Sequence, residues 1–236
     1  GSEMCIRDRF IAQVVLGVMP VLLLILFVWK KMYQTPIVGT VFIILIFLCN
    51  LAYAFLARWY AVLHSGVKGE RRLFRTVKKL HGTNIVFHNL PVRYKRGRSE
   101  LDMLIVCHAG VLIIEVKNHS GTISGSWRDD KWTQRKHYRD GKVTETMMDN
   151  PIKQMRRQRD IVKSILTAAG ENVWIDSVLY FSSPNAKLKI SLRESDYVCC
   201  ESAELLEFLK SYDSGETLSK SRMEHIAQIL RESSGV

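Results

Sequence analysis

The chain has 236 residues, 47% of them hydrophobic, with a formal net charge of +11 and a pI of about 9.5. Its five cysteines, Cys5, Cys49, Cys107, Cys199 and Cys200, form no C-x-x-C pair, and the histidines lack ligand spacing, which excludes a disulfide scaffold and a zinc framework. No internal repeat or low-complexity tract is present, and the excess of positive charge suits a polyanion or an anionic membrane surface.

The N-terminal part is apolar. Phe10 to Trp29 has Gln13 as its one clearly polar side chain, and Ile37 to Ala57 is broken only by Thr40 and Asn50. At about 1.5 Å per helical residue, each run crosses a hydrocarbon core of about 30 Å, so two transmembrane helices are expected, over 10–29 and 37–57. The first run ends in Trp29-Lys30-Lys31 rather than at a small-residue cleavage site, which argues against a signal peptide. Trp29, Tyr33, Trp59 and Tyr60 fall at the expected interfaces, where amphipathic rings prefer to sit. The connecting segment Lys30–Pro36 carries Lys30 and Lys31, against Arg7, Arg9, Arg58, Lys68, Arg71, Arg72 and Arg75 on the other side. The positive-inside bias then makes the protein multi-pass in a cell inner membrane or plasma membrane, with its N-terminus and its large C-terminal part cytoplasmic. Gly1-Ser2-Glu3 ahead of Met4 reads as a remnant, and the bias persists without Arg7 and Arg9.

Beyond the spans, Leu73, Phe74, Val77 and Leu80 recur at helical spacing, which predicts a helix from about Lys68 with Glu70 turned toward the core. A strand follows over Ile85–Leu90, then a basic loop over Pro91–Ser99. The runs Leu101–Cys107 and Val111–Lys117, joined through His108-Ala109-Gly110, read as a tight hairpin. Pairing Cys107 with Gly110 brings Asp102 opposite Glu115, and alternation puts Glu115 and Lys117 on one face. An ionised carboxylate in so apolar a strand costs several kcal/mol unless a metal, a partner charge or hydrogen bonds offset it. Two carboxylates and an ammonium on one spot form a magnesium site with a lysine that handles water. The bland alternative is a structural ion pair, which burial seldom makes stabilising.

Thr122 to Val143 is turn-rich, with Trp127 and Trp132 as packing anchors, and His119 and His137 are expected at the surface. Asn150 caps a helix that opens at Pro151, runs to Ala169 and stops at Gly170. Val173–Phe181 and Tyr197–Cys200 are strands, and Ala203–Leu209 and Leu218–Leu230 are amphipathic helices. Strands mixed with helices on both sides predict an α/β sandwich around a mixed sheet.

Several of these residues carry a resemblance. Gly66-x-x-Gly69-Glu70, Glu100-Leu101-Asp102, Gly110-Val111-x-x-x-Glu115-x-Lys117-Asn118, Gly121-x-Ile123, Trp132 and Asn150-Pro151-x-x-Gln154 stand in the order of the nuclease-related domain (NERD) family, within the PD-(D/E)XK, or restriction-endonuclease-like, superfamily. The chain resembles that family from about Gly66 to Phe181. The resemblance implies a restriction-endonuclease-like mixed sheet flanked by helices, preceded here by the two transmembrane helices. The expected division is 1–60 membrane hairpin, 61–185 nuclease-like domain and 186–236 C-terminal α/β extension. In related RecB-like nucleases a tyrosine often stands four residues after the helical glutamine, where this chain has Gln158.

The implied activity is metal-dependent phosphodiester hydrolysis. Asp102 and Glu115 would hold Mg²⁺, with Mn²⁺ as an alternative, and Lys117 would orient or deprotonate the attacking water. Glu70 would bind a second metal or its water, and Gln154 would orient the scissile phosphate or the lysine. Arg93, Lys95, Arg96 and Arg98 before Asp102, and Lys153, Arg156, Arg157 and Arg159 on the Gln154 helix, would supply sequence-independent affinity for nucleic acid, DNA favoured over RNA. Lys68 to Lys79 lie close enough to the second span to meet anionic lipid of the bilayer. The competing reading is a non-catalytic module that docks nucleic acid or a partner on a nuclease fold tethered to the membrane.

Overall fold

The computed structural model describes residues 2–29 and 36–234; the segment 30–35, with Lys30, Lys31 and Tyr33, lies outside the described residues. The chain divides into two units, Gly1–Lys68 and Gly69–Val236. The first contains α1 (Ser2–Trp29) and most of α2 (Pro36–Val77). Within α2 the stretch Gly39–Tyr60, 22 residues with a mean hydropathy of 2.4, is long and apolar enough to cross a bilayer, and its most apolar part is not buried by the protein. The corresponding apolar stretch of α1 is shorter, Gly17–Leu26. Asn50 satisfies its amide on its own helix, donating to the Ile46 carbonyl at 2.8 Å. The helix expected to begin near Lys68 has no start of its own. It continues α2 without a break, because nothing between Ala57 and Lys68 is a strong helix breaker and the single Gly66 costs only about 1 kcal/mol.

The second unit holds two sheets. β1 (Ile85–Tyr94), β2 (Gly97–Cys107), β3 (Gly110–Lys117), β7 (Ile175–Phe181) and β9 (Tyr197–Cys199) form one, in the order β1-β2-β3-β7-β9. β4 (Gly121–Ser126), β5 (Lys131–His137), β6 (Val143–Asp149) and β8 (Ala186–Ser191) form the other, in the order β6-β5-β4-β8. The remaining helices are α3 (Pro151–Ala168), α4 (Ser202–Ser211) and α5 (Lys220–Ser234). The architecture is mixed α/β, consistent with the restriction-endonuclease-like fold, with two sheets where a single mixed sheet was expected. The segment read as turn-rich, Thr122–Val143, supplies β4 and β5. Its alternation is polar on both faces, so periodicity hides it.

The expected basic loop Pro91–Ser99 is also a hairpin. β1 continues to Tyr94, and Tyr94 pairs with Gly97 across a two-residue turn in which Lys95 has φ 52°. Pro91 is tolerated because β1 is an edge strand and needs no donor there. The residues expected as a C-terminal extension, 186–236, share both sheets through β8 and β9, and Met223, Ile226 and Leu230 of α5 bury into the same core as Ile161 and Val162 of α3.

Three apolar clusters hold the unit together. Leu104, Val106, Val111 and Ile113 pack under α3 and α5 on one face of the first sheet. Met103, Ile105, Leu112 and Ile114 meet Leu73 and Val77 of α2 and Leu205 of α4 on the other. Ile123 and Trp132 of the second sheet close over Ile152, Met155, Leu179 and Phe181. Each fully buried side chain of this size contributes about 1.5–3 kcal/mol.

The join between the sheets positions the site. β3 and β7 are parallel neighbours, and so are the strands that follow each of them, β4 and β8. The strand pair therefore passes from one sheet to the other at Asn118–Ser120 and Ser182–Asn185, stitched by Ser182 N donating to Lys117 O at 3.0 Å and Gly121 N to Asn185 O at 2.8 Å. Gly121 takes φ 86°, where a Cβ would run into the Arg135 carbonyl.

Candidate functional site

The hairpin of β2 and β3 forms in the expected register, Cys107 opposite Gly110 through Met103 opposite Ile114, and stops one pair short of Asp102 and Glu115. At that point Asp102 turns its side chain onto the partner strand, and its Oδ2 accepts from Val116 N at 2.7 Å. The ladder ends because a carboxylate takes a backbone donor.

Glu115 is 2% exposed, beside the last turns of apolar sheet. Its Oε1 accepts from Lys117 Nζ at 2.7 Å and from Gln154 Nε2 at 2.6 Å, and its Oε2 accepts from Gln158 Nε2 at 2.7 Å. Lys117 Nζ donates to Gln154 Oε1 at 2.9 Å as well, so lysine, glutamate and glutamine form a closed triangle. Gln154 and Gln158 both reach the site because residues four apart share a helix face. The helix is aimed by Asn150, whose Oδ1 accepts from Ile152 N at 2.9 Å while its Nδ2 donates to the carbonyls of Ser126 and Asp129 at 3.1 and 2.7 Å. Asn150 thus ties the start of α3 to the β4–β5 turn.

Burial first, and then the charge of Glu115, push the Asp102 carboxyl up to about 7; the Val116 amide and Lys117 act in the opposite direction. Two carboxylates face one ammonium, and the second carboxylate is driven toward its neutral form. A hard divalent cation beside both would restore the ionised form, and the donor set fits one. Asp102 keeps an oxygen free of protein donors, Glu115 Oε2 accepts only one donor and so keeps a lone pair, and a cation that retains several waters needs no larger cage. Among the described residues no three His, Cys, Asp or Glu side chains cluster as metal ligands.

Glu70 is therefore not gathered into the triangle. It accepts from Asn89 Nδ2 at 3.4 Å and acts on Asp102 only through space, as the weakest of the influences on it. The glycine before it has a clear reason: a Cβ on Gly69 would lie 2.8 Å from Ser182 Oγ and 3.1 Å from both Val116 Cγ1 and Asn118 Cβ, so α2 presses directly onto the end of β3.

The basic residues divide. Arg93, Lys95, Arg96 and Arg98 are exposed on the β1–β2 hairpin. Arg156 is committed elsewhere: it makes two bonds to Asp196, at 2.8 and 2.6 Å, in a pair with exposures of 19% and 4%, beside the Trp127 ring. Lys153 pairs with Asp130 at 2.5 Å, and Arg157 donates to the Arg98 carbonyl at 3.0 Å, joining α3 to the basic hairpin. Arg159 is half-buried on α3. Gln158, noted in the sequence only as standing where related nucleases often carry a tyrosine and given no role, joins the site through Glu115; its spacing from Gln154 was the available signal. His119, expected at the surface, is half-buried, with Nδ1 3.2 Å from Gln134 Oε1; burial lowers its pKa.

A family model described as the nuclease-related domain matches residues 65–182, half of the 236-residue chain. An uncharacterized protein of Bacillus anthracis is 34% identical over 71 residues, which cover 29% of this chain and 34% of that protein. The chain thus matches about a third of that relative's length. No solved structure gives a significant match.

Proposed function

The chain belongs to the nuclease-related domain family, and from that premise we propose that it is a magnesium-dependent nuclease, anchored in the membrane by its N-terminal helices, that hydrolyses phosphodiester bonds on the cytoplasmic side. The observation that carries this reading is the closed triangle of Lys117, Glu115 and Gln154 beside Asp102 at the point where the two sheets part. A structural ion pair needs no second carboxylate held near neutrality at its side.

Asp102 and Glu115 would hold the cation, and bound Mg²⁺ would polarise the scissile phosphate and acidify water. The chain's own residues do the rest. Lys117, 22% exposed, presents its ammonium to solvent at one end while Glu115 and Gln154 hold it at the other, so it can orient a water and offset charge developing on phosphorus. Gln154 fixes the direction of both neighbours. Gln158 holds the far oxygen of Glu115. Glu70 adds negative potential that favours a second cation or its water.

The span Gly39–Tyr60 supports the anchor, and Arg58 near its end with Lys68, Arg71, Arg72 and Arg75 beyond it support the cytoplasmic assignment. DNA as substrate, including DNA entering the cell, rests on the tether, since a nuclease held at the inner face meets incoming strands first. The test is cleavage by the full-length chain in detergent or nanodiscs, with Mg²⁺ or with EDTA, on linear, nicked, circular and single-stranded DNA and on RNA. Cleavage of DNA that stops with EDTA and with Asp102→Asn is the expected result; no cleavage of any substrate would remove the reading.

A further inference from the structure

On the opposite face of the first sheet from Glu115 and Lys117 lies a cavity of about 460 Å³, whose lining includes Arg72, Tyr180, Ser182, Ser183, Glu201 and Ser202. It sits at the carboxyl end of β7, beyond the join with β3, where open parallel sheets commonly take ligands. Its chemistry is that of an anion site. Arg72 spends one N–H on the Ser182 carbonyl and has no carboxylate within ion-pair distance among the described residues, so most of its donors are uncommitted. Ser183 is 7% exposed, and its hydroxyl, on the cavity wall, has no hydrogen-bond partner among the described residues. Ser202 opens α4, and its Oγ lies 2.6 Å from the Tyr180 hydroxyl. The N-cap of α4, Glu201, makes no side-chain cap bond, and the first-turn acid Glu204 accepts from Cys200 N at 3.1 Å, outside the helix, so the first-turn amides have no side-chain cap of their own.

Glu201 is the one acid of the lining. A guanidinium, the Ser183 hydroxyl, the Tyr180–Ser202 hydroxyl pair and a helix N-terminus against the single lining carboxylate of Glu201 favour a small, highly charged oxyanion over a carboxylate or a neutral ligand, while Ser182 Oγ is occupied by Asn118 Oδ1 at 3.3 Å. The cavity volume falls in the range of small-ligand sites and exceeds what a bare ion requires. Ser182 N is bonded to Lys117 O, so the cavity and the triangle share one backbone hydrogen bond across the sheet.

We infer that this cavity is a phosphate-monoester site that takes the terminal phosphate of a nucleic-acid strand. The assignment rests on the nuclease reading for the identity of the strand. A site of this kind would let the protein distinguish phosphorylated ends from hydroxyl ends and from uninterrupted strands.

The test is calorimetric binding of pentanucleotides to the full-length chain in nanodiscs, with EDTA present so that nothing is cut. Three oligonucleotides are compared, with a phosphate at the 5′ end, at the 3′ end, or at neither. One of the phosphorylated forms should bind about tenfold tighter than the unphosphorylated one, the difference expected of one charge-assisted contact. Inorganic phosphate should compete with that form and leave the unphosphorylated one unaffected. Arg72→Met and Ser183→Ala should each reduce the preference, and Glu201→Gln, which removes the opposing charge, should increase it. Equal affinity of the three oligonucleotides, a preference untouched by Ser183→Ala and Glu201→Gln, or binding of inorganic phosphate without any end preference would overturn the assignment. Cleavage with Mg²⁺ is scored separately. An end preference without cleavage would remove the nuclease reading and leave the phosphate site standing, whereas cleavage with three equal affinities would remove the site alone.

Discussion

Gln154 bridges Lys117 and Glu115: its carbonyl oxygen accepts from the ammonium at 2.9 Å and its amide donates to the carboxylate at 2.6 Å. An amide carries both an acceptor and donors, so it satisfies a cation and an anion at once, and it does so here without adding charge to a crowded site. Replacing it with Glu keeps the shape and adds an acid. We expect Gln154→Glu to lower activity by about 10²-fold, as loss of one preorganised donor does elsewhere. Gln154→Leu should in addition destabilise the fold by about 1–3 kcal/mol, because the buried carboxylate loses a donor. Steady-state cleavage and urea unfolding separate the two effects.

Lys117→Ala should abolish cleavage while Mg²⁺ binding persists, since an ammonium is never a ligand; the loss expected of a water-handling group is about 10²–10⁴-fold. Asp102→Asn should leave the domain folded, weaken Mg²⁺ binding and stop cleavage. Variants that cut as well as the parent would place the chemistry elsewhere. Variants that unfold would make the triangle a structural charge network.

The raised pKa of Asp102 sets a pH dependence with a definite sign. Its folded value, about 7, lies above the ordinary 3.8, so the folded state holds the proton longer than the unfolded chain does. Its contribution to stability is full below the ordinary value and is lost as pH rises toward 7. Without metal, the parent should lose stability relative to Asp102→Asn between pH 4 and 8, and saturating Mg²⁺ should abolish that loss. Urea unfolding of the two proteins across this pH range checks it. A difference that runs the other way with pH would mean that Asp102 is held ionised by the protein alone.

Arg156 and the hairpin cations should behave oppositely. Arg156→Ala strands the 4%-exposed Asp196 carboxylate and should destabilise the fold by about 3 kcal/mol. Neutralising Arg93, Lys95, Arg96 and Arg98 should leave stability nearly unchanged and flatten the dependence of nucleic-acid affinity on log salt by about 0.9 for each phosphate that is no longer neutralised. An unchanged slope would assign the hairpin to solvent or lipid.

Topology is checked by cysteine labelling. A cysteine replacing Thr35 should react with an impermeant reagent on intact cells, and one replacing Ser234 only after permeabilisation. The reverse pattern would place the Lys117 site outside the cytoplasm.

The hairpin of β2 and β3 was legible in the sequence because it is local: two apolar runs and a short turn fix the register, and period-two alternation then puts Glu115 and Lys117 on one face. The cap at Asn150 and the run of α3 were legible for the same reason, since a polar cap, Pro151 and Gly170 mark helix ends chemically. The second sheet was not. β4 and β5 carry polar residues on both faces, and β4 is completed on its other side by β8 from far along the chain, with Gly121 opposite Ala186. Charge also misled. A basic side chain looks the same in sequence whether it faces water, as Arg96 does, or closes on a buried acid, as Arg156 does on Asp196. Composition and local periodicity alone determined that the chain carries apolar spans, a basic α/β unit and a carboxylate pair beside a lysine. Only the tertiary structure decided that Gln154 and Gln158 close on Glu115 while Glu70 stays apart, because those distances depend on how α2 and α3 dock on opposite faces of the sheet. That docking is governed by burial summed over residue pairs distant in sequence, such as Gly69 against Ser182, which no local pattern encodes.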